Sequence, residues 1–176
     1  YQSARRSMPF IPVNCGALPD HLFENELFGH IKGAFTDASS AENGLISEAE
    51  GGTLFLDEVA TLSPSAQVKL LRFLQNGEYR PLGSARSTLA DVRVIAATNT
   101  ELKTEVDRKR FREDLFYRLN ILSVSVPSLR ERGNDVLHLA EHYLDIYGSR
   151  RSERCRFSDC ARQKLLNYMW PGNVRE

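Results

Sequence analysis

The sequence predicts an α/β fold with a mostly parallel sheet. Short apolar segments that resemble strands alternate along the chain with segments of helical periodicity, which is the pattern of parallel strands linked by helices. The strand-like segments at 53–56 and 92–97 are nearly continuous apolar runs, as expected for strands buried on both faces. The composition is 41% hydrophobic and 26% charged, which is enough apolar material for a globular core.

The individual elements follow from apolar periodicity and from residues that start or end helices. Ser63-Pro64 is a favoured N-cap followed by a favoured first helical residue, and Gly77 ends that helix. Pro127 ends the last predicted strand. The predicted strands are 10–14, 53–56, 92–97 and 121–126, and the predicted helices are 19–28, 64–76 and 102–119, with a loop or hairpin at 79–91.

A small helical subdomain is predicted near the C-terminus. Asn134-Asp135 can cap one helix and Ser158-Asp159 a second, before Pro171-Gly172. We therefore expect an α/β core over residues 1–133 and a helical lid over residues 134–176. The basic linker 149–156 between the two helices is interpreted as a solvated loop, with a nucleic-acid contact as the minority alternative.

Charge and cysteine content exclude several function classes. Lys and Arg number 23 and Asp and Glu number 23, whereas nucleic-acid-binding domains are usually basic. Three cysteines are too few for a disulfide framework and favour reduced thiols in the cytoplasm. No apolar run is long enough to span a bilayer, and no signal peptide is seen at the start.

Both chain ends are interpreted as cuts through a larger protein.

Asp57 and Glu58 are the sharpest local chemical signal. They end an apolar strand, and ligands of open α/β sheets bind beyond the carboxyl ends of the strands. In P-loop NTPases an aspartate at this place helps to hold Mg²⁺ on the nucleotide phosphates, and a neighbouring carboxylate can orient or deprotonate water. The alternative is that both residues cap the next segment.

Other polar residues end the neighbouring strands. Thr98-Asn99 closes one strand and Asn14 closes another. Their side chains can hydrogen-bond a phosphate or a water at the same sheet edge, although such residues more often start a turn. Because three predicted strands end in polar residues at one edge of the sheet, a functional site at that edge is favoured.

Two further segments carry candidate residues. Arg112 and Arg118 can stabilise charge on a transferring phosphoryl group, including across a subunit boundary, or they can pair with Glu113 or Asp114. The segment 33–38 places Phe35 among small residues, which indicates either a partner contact or a buried loop anchor.

The motifs occur in an order that resembles the central AAA+ domain of bacterial enhancer-binding proteins, the sigma-54-dependent transcriptional activators. The resemblance covers essentially the whole chain. In order, the motifs are Val13-Asn14-Cys15, Glu26-Leu27-Phe28-Gly29-His30, Lys32-Gly33-Ala34-Phe35-Thr36, Gly51-Gly52-Thr53-Leu54-Phe55-Leu56-Asp57-Glu58, Ala96-Ala97-Thr98-Asn99, Phe111-Arg112-Glu113-Asp114-Leu115, Pro127-Ser128-Leu129-Arg130-Glu131-Arg132 and Trp170-Pro171-Gly172-Asn173-Val174-Arg175-Glu176.

The resemblance implies an ATPase that forms a ring, typically a hexamer, and remodels the closed complex of sigma-54 RNA polymerase. ATP and Mg²⁺ are the implied cofactors, DNA is contacted by a separate domain, no membrane is involved and the location is cytoplasmic. The implied roles are Asp57 for Mg²⁺, Glu58 for water activation, Asn14 as a switch on Glu58, Thr98 and Asn99 as the first sensor, Arg175 as the second sensor, Arg112 and Arg118 as arginines acting on the neighbouring subunit, Gly33, Ala34, Phe35, Thr36, Asp37 and Ala38 as the sigma-54 contact, and 79–91 as the second pore-side insertion.

The sequence departs from the family pattern in two ways. The phosphate-binding loop G-x-x-x-x-G-K-[ST] and its strand are absent from the 176 residues, so we expect this chain alone to bind ATP weakly and to be inactive. Asp37 stands where the family usually has glycine, and we expect it to tune the loop rather than to inactivate it. The alternatives to the sigma-54 ATPase are a non-hydrolysing AAA+-like regulator acting on another form of RNA polymerase and, less favoured, a different AAA+ machine such as a helicase loader.

Overall fold

The computed structural model describes residues 2–36, 38–148 and 156–176. Asp37, Cys155 and most of the basic linker, residues 149–155, lie outside the described residues. The chain divides into two compact units, Tyr1–Leu122 and Ser123–Glu176. The expected boundary after residue 133 stays a prediction.

The order of elements confirms the α/β class. The strands are β1 (Phe10–Asn14), β2 (Gly29–His30), β3 (Glu42–Asn43), β4 (Thr53–Asp57), β5 (Glu78–Tyr79), β6 (Thr88–Leu89) and β7 (Arg93–Ala96). The helices are α1 (Asp20–Phe28), α2 (Leu45–Glu48), α3 (Pro64–Asn76), α4 (Leu102–Asp107), α5 (Glu113–Leu119), α6 (Asp135–Gly148) and α7 (Asp159–Asn167). Single 3₁₀ turns lie at Val59–Thr61, Leu129–Glu131 and Asn173–Arg175.

The main sheet of the first unit is parallel, with strand order β1-β4-β7. Its register pairs Asn14 with Asp57 and Leu56 with Ala96. The carboxyl ends of all three strands therefore meet at one edge of the sheet, as the parallel fold requires. The hairpin β5–β6 is antiparallel and confirms the hairpin that was one of the two readings of residues 79–91.

The core lies around the central strand and α3. Leu54 and Leu56 of β4 are fully buried, as are Leu70 of α3 and Ile46 of α2. Complete burial of one such side chain contributes about 1.5–3 kcal/mol. Ser63 caps α3 by accepting a hydrogen bond from the Ala66 N–H, 3.2 Å away, and Gly77 ends it in the left-handed conformation, φ 74°. The predicted start and end of α3 are therefore confirmed.

The predicted strand at 121–126 is wrong. Within the described residues this segment pairs with no strand, and Leu122 and Val124 are 85% and 89% exposed. A strand needs a neighbour that satisfies its backbone N–H and C=O groups. The apolar alternation of these residues supplies the pattern of a strand but not the partner.

The predicted single helix at 102–119 is also wrong. It is two helices, α4 and α5, separated by residues 108–112. Lys109 has a φ of 58°, which a continuing right-handed helix cannot include. The N–H groups of Arg110 and Phe111 still donate to the Glu105 carbonyl oxygen, at 2.9 and 3.2 Å. The Arg112 N–H donates instead to a side chain of α3.

The second unit contains α6 and α7, which confirm the two predicted lid helices. Ser128 and Glu131 form a capping box at the turn that precedes α6. The Asn173 Oδ1 accepts a hydrogen bond from the Leu129 N–H, 2.9 Å away, and so ties the end of this unit to its beginning. Across the described residues of the chain, every helix is too short or too polar to cross a membrane.

Candidate functional site

Three predicted site residues lie together at the carboxyl ends of β1 and β4. We call Asn14, Asp57 and Glu58 the acidic edge. The parallel register places Asn14 opposite Asp57, and the next backbone N–H, from Cys15, donates to the Asp57 carbonyl oxygen at 2.9 Å. Strand register alone therefore brings these residues together.

The backbone turns sharply at Glu58. This residue is left-handed, with φ 56° and ψ 40°, a conformation that costs about 1–2 kcal/mol for a side chain larger than glycine. Its N–H donates to Asp57 Oδ1 at 2.9 Å, and the Thr61 hydroxyl donates to its carbonyl oxygen at 2.8 Å. Such strain is concentrated at functional sites because it fixes the direction of a side chain.

The side chains of Asn14 and Glu58 both approach the backbone of Gly16. A Cβ added to Gly16 would lie 2.8 Å from Glu58 Oε2 and 3.5 Å from Asn14 Oδ1. The Gly16 N–H also donates to Asn14 Oδ1 at 2.8 Å. The absence of a side chain at residue 16 thus leaves room for the Glu58 carboxylate.

Cys15 lies next to the acidic edge, and the carboxylates there affect the pKa of its thiol. The thiol is buried, and burial, followed by the charges of Asp57 and Glu58, raises its pKa from 9.0 to about 12. The thiol is therefore neutral and inert at physiological pH. Nothing in the sequence spacing of Cys15 marks it as lying next to the carboxylates.

The predicted sensor residues follow β7. The Val59 N–H donates to the Ala97 carbonyl oxygen at 3.0 Å, and the Ala97 N–H donates to that of Leu56 at 2.7 Å. The end of β7 is therefore held on either side of the acidic pair. The Thr98 hydroxyl accepts a hydrogen bond from the Thr100 N–H at 3.1 Å, so this pair also starts a turn, as the alternative reading expected.

Arg112 directly precedes α5, as its N-cap residue. It donates from Nε to Asp114 Oδ1 at 3.0 Å and from Nη2 to Oδ2 at 2.7 Å. These bonds hold the pKa of the Asp114 carboxyl below its usual value. The ion pair is the alternative weighed from sequence, and it leaves the guanidinium half exposed.

Arg118 lies at the far end of α3. Its guanidinium donates to the carbonyl oxygens of Leu74 at 2.9 Å and Gln75 at 3.2 Å. Because α3 begins at Pro64, near the acidic edge, and rises 1.5 Å per residue, Leu74 is about 15 Å further along the helix axis. Arg175 belongs to the second unit, where it is exposed in the last 3₁₀ turn.

The predicted contact segment 33–38 forms a closed turn within the described residues. The Gly33 N–H donates to the Ala38 carbonyl oxygen at 2.9 Å, and the Ala38 N–H donates to that of Phe35 at 3.0 Å. Phe35 is 45% exposed and tilts against the buried ring of His30, with 5.0 Å between centroids. Gly33 and Thr36 are exposed, Ala34 is half-buried, Ala38 is buried and Asp37 is outside the described residues.

The hairpin segment 77–91 contacts the base of this turn. The Ile31 N–H donates to the Leu82 carbonyl oxygen at 3.1 Å, and the Leu82 N–H donates to that of Gly29 at 2.8 Å. Gly83 has a φ of 75°, and a Cβ on it would lie 2.8 Å from the Ala34 Cβ. The two loops therefore share one hydrogen-bonded base.

Comparison with protein families gives two matches that together cover most of the chain. The sigma-54 interaction domain matches residues 1–125, and the AAA+ ATPase lid domain matches residues 130–176. The Nif-specific regulatory protein of Azotobacter vinelandii is 48% identical over 176 residues, which are all of this chain and 34% of that protein. The transcriptional regulatory protein GlrR of Escherichia coli is 51% identical over 175 residues, or 99% of this chain and 39% of that protein.

Solved structures show the same fold. Crystal structures of NtrX from Brucella abortus, in complex with ADP and with ATP, match with a TM-score of 0.87 and 34% and 33% sequence identity. They cover 99% of this chain, which spans 38% of the NtrX chain. The chain thus spans well under half the length of each of these relatives.

Proposed function

This chain belongs to the family of sigma-54 interaction domains of the AAA+ class, and from that premise we propose that it couples ATP hydrolysis to remodelling of the sigma-54 RNA polymerase closed complex. The working form is a ring, with a hexamer as the expected size, in the bacterial cytoplasm. The ATPase core is assigned to residues 1–133 and the lid to residues 134–176, and DNA contact belongs to a separate domain. The observation that carries the proposal is the convergence of Asn14, Asp57 and Glu58 at one sheet edge.

The acidic edge suits Mg²⁺ and a nucleotide. Mg²⁺ prefers hard oxygen ligands and is usually bound by one or two carboxylates together with substrate phosphates. Asp57 offers such a carboxylate, half-buried at the strand end, and the described residues hold no cluster of three or more side chains that would make a complete protein cage. We assign Asp57 to Mg²⁺, which neutralises charge on the phosphates when bound.

Glu58 is assigned to the attacking water. Its left-handed backbone sets the direction of the side chain, and the carboxylate lies near the Gly16 backbone at the strand ends. A carboxylate held in this way can accept a proton from water or orient it. Asn14 lies opposite Asp57 in the strand register, and it is assigned to hold Glu58 in a second orientation. Thr98 and Asn99 are assigned to sense the phosphates from the end of β7.

The arginines are assigned to a neighbouring subunit's nucleotide. The side chains of Arg112 and Arg118 are both exposed, and Arg118 is bonded to the end of α3, far from the acidic edge of its own subunit. An exposed arginine can reach across a subunit boundary and stabilise transferring phosphoryl charge there. Arg112 must exchange Asp114 for phosphate to do so. Arg175, from the lid, is assigned as the second sensor.

The segment 33–38 is assigned to sigma-54. Phe35 keeps nearly half its surface exposed although it touches His30, which suits a contact that a partner completes. The shared base with the hairpin 77–91 supports joint movement of the two loops. Asp37 is expected to tune this contact without abolishing it.

The proposal is tested by capture of sigma-54 on the full-length protein, because these 176 residues contain no phosphate-binding loop. The protein is incubated with ADP and aluminium fluoride, which mimics a transferring phosphoryl group, and purified sigma-54 is added. We expect capture by the wild type and loss of capture by Phe35→Ala. Leu22→Ala is the control, because Leu22 on α1 has a similar exposed fraction, 46% against 45%.

Two results would contradict the proposal. Hydrolysis without capture would leave the ATPase but point to a different target. Neither hydrolysis nor capture would favour a non-hydrolysing AAA+-like regulator. Nucleotide binding by the isolated 176 residues with ordinary micromolar affinity, measured by calorimetry, would contradict the expected need for the upstream loop.

A further inference from the structure

Gln67 is a buried polar residue in the middle of an apolar helix face. It lies on α3 at helical spacing from Leu70, Leu71 and Leu74, and it is 1% exposed. An amide buried this deeply costs free energy unless its hydrogen bonds are made. In this structure it makes three.

The three bonds reach two different segments. Nε2 of Gln67 donates to the carbonyl oxygens of Leu62 at 2.8 Å and Arg110 at 3.0 Å. Its Oε1 accepts from the backbone N–H of Arg112 at 2.9 Å. Both ends of one side chain are thus used, and the Arg112 backbone is fixed to α3.

Leu62 connects this bond network to the acidic edge. It directly follows the 3₁₀ turn Val59–Thr61, and the Thr61 N–H donates to the Glu58 carbonyl oxygen at 2.9 Å. The Leu62 N–H in turn donates to that of Val59 at 3.3 Å. The turn after Glu58 and the segment before α5 therefore share a single side chain.

The segment that carries Arg112 is not helical. Up to Phe111 its backbone N–H groups donate to carbonyl oxygens of α4, whereas the Arg112 N–H donates to Gln67. Residues 108–112 separate α4 from α5, and the backbone of Lys109 is in the left-handed conformation. Glu105 holds the first half, accepting from Arg110 Nε at 2.6 Å and Nη2 at 2.8 Å. Gln67 holds the second half, where Arg112 begins α5.

We infer that Gln67 is a positioning residue, which sets where Arg112 is presented to a neighbouring subunit and ties that position to the turn after Glu58. The inference rests on the proposed role of Arg112. Gln67 touches neither nucleotide nor reacting atoms. It acts by fixing the backbone, while Asp114 holds the guanidinium until phosphate replaces it.

The first test measures ATP hydrolysis by the full-length protein. In Gln67→Met the side chain keeps its length but loses all three bonds. We expect kcat to fall about 10- to 100-fold with little change in KM, because misplacement of a catalytic group by about 1 Å can cost 100-fold. Gln163→Met, at an exposed glutamine of α7, is the control and should match the wild type.

Combination with Arg112→Ala separates positioning from loss of structure. If Gln67 acts through Arg112, Gln67→Met/Arg112→Ala should keep the residual rate of Arg112→Ala, since interacting residues are not additive. A further multiplicative fall would overturn the inference, because it would mean that Gln67→Met damages the enzyme by another route.

Hydrogen exchange does not depend on the role of Arg112. Exchange of peptides covering 108–113 should be faster in Gln67→Met and unchanged in Gln163→Met, and unchanged exchange in both would overturn the inference. In Gln67→Glu, the carboxylate can still accept the hydrogen bond from the Arg112 N–H. It cannot donate to the carbonyl oxygens of Leu62 or Arg110 until it is protonated. Its hydrolysis rate relative to the wild type should therefore rise as pH is lowered, and a ratio independent of pH would count against the inference.

Failure of the two proposals can be told apart. If Arg112→Ala hydrolyses ATP at the wild-type rate, the proposed role of Arg112 fails, whereas the exchange measurement still decides whether Gln67 holds the segment. If Arg112→Ala is impaired and Gln67→Met is not, Arg112 keeps its role and the inference about Gln67 is wrong.

Discussion

The acidic edge and the arginine segment, residues 108–118, are held in place by different means. Asn14 and Asp57 are placed by the register of two parallel strands. Arg112 and Arg118 are placed by side-chain hydrogen bonds to Asp114 and to α3. Strand register is set by many backbone bonds at once, whereas each arginine depends on a few partners.

This difference suits the two proposed tasks. A site that binds nucleotide phosphates within one subunit gains from a rigid frame. An arginine that must reach another subunit has to release its own partners when the phosphate arrives. The half-exposed pair of Arg112 with Asp114 is such a releasable contact, because exposed ion pairs contribute little net stability.

The largest expected effect is on the acidic edge. Glu58→Gln in the full-length protein should lower ATP hydrolysis by about 100- to 10,000-fold, because general base catalysis contributes that range. Nucleotide binding, measured by calorimetry, should persist. Glu48→Gln, an exposed residue at the end of α2, is the matched control. Hydrolysis by Glu58→Gln near the wild-type rate would remove the acidic edge from the chemistry.

The next largest expected effect is slow chemical modification of Cys15, which is buried next to the acidic edge. Iodoacetamide at pH 8 should modify Cys15 at least about 100-fold more slowly than the exposed Cys160, because only the thiolate reacts and the pKa of Cys15 is raised to about 12. Peptide mass spectrometry distinguishes the two sites. Since the folded-state pKa is raised, the thiol weakens folding only as pH increases from about 9 to 12. Equal labelling would show that the strand ends open readily.

Within the arginine segment, the two arginines should differ in how much each contributes to the free energy of unfolding. Arg118→Ala should lower the free energy of unfolding by about 1 kcal/mol, because two carbonyl oxygens at the end of α3 lose a donor. Arg112→Ala should change it by less than about 0.5 kcal/mol, since it removes only an exposed pair. Urea unfolding followed by circular dichroism measures both. The reverse order would mean that Arg112, and not Arg118, is the structural residue.

The smallest expected effect is a pH dependence of the arginine segment. Hydrogen bonds from Arg110 lower the pKa of Glu105 below 4.5, so its contribution is present above that pH and is lost as pH falls through the lowered value. The stability difference between wild type and Glu105→Gln should shrink between pH 6 and 3. A difference that stays constant, measured by thermal unfolding across this range, would rule out the Glu105 charge as the cause.

Much of the acidic edge could be predicted from sequence because strand ends are local signals. The apolar run before Asp57-Glu58 sets both the strand and its polar end, and parallel pairing then brings Asn14 alongside. The left-handed turn at Glu58 had no such signal, since glutamate carries no preference for it. The strand at 121–126 was predicted for the same local reason and failed for want of a partner.

The arginine segment was less predictable because its conformation depends on distant side chains. Residues 102–119 indicated one charged helical stretch. The interruption depends on the left-handed backbone of Lys109 and on the bond from the Arg112 N–H to Gln67. A signal for Gln67 did exist. A glutamine at helical spacing with Leu70, Leu71 and Leu74 is a polar residue on a buried face, which requires partners from another segment.

The most direct measurement of the central claim mixes two inactive proteins. Glu58→Gln keeps its arginines but lacks the water-activating carboxylate. Arg112→Ala keeps that carboxylate but lacks the arginine proposed to act on the neighbouring subunit. If the two regions complete each other between subunits, mixed rings should recover part of the ATP hydrolysis that neither protein shows alone. Mixtures over the full range of ratios that never exceed the summed activities of the two separate proteins would contradict it.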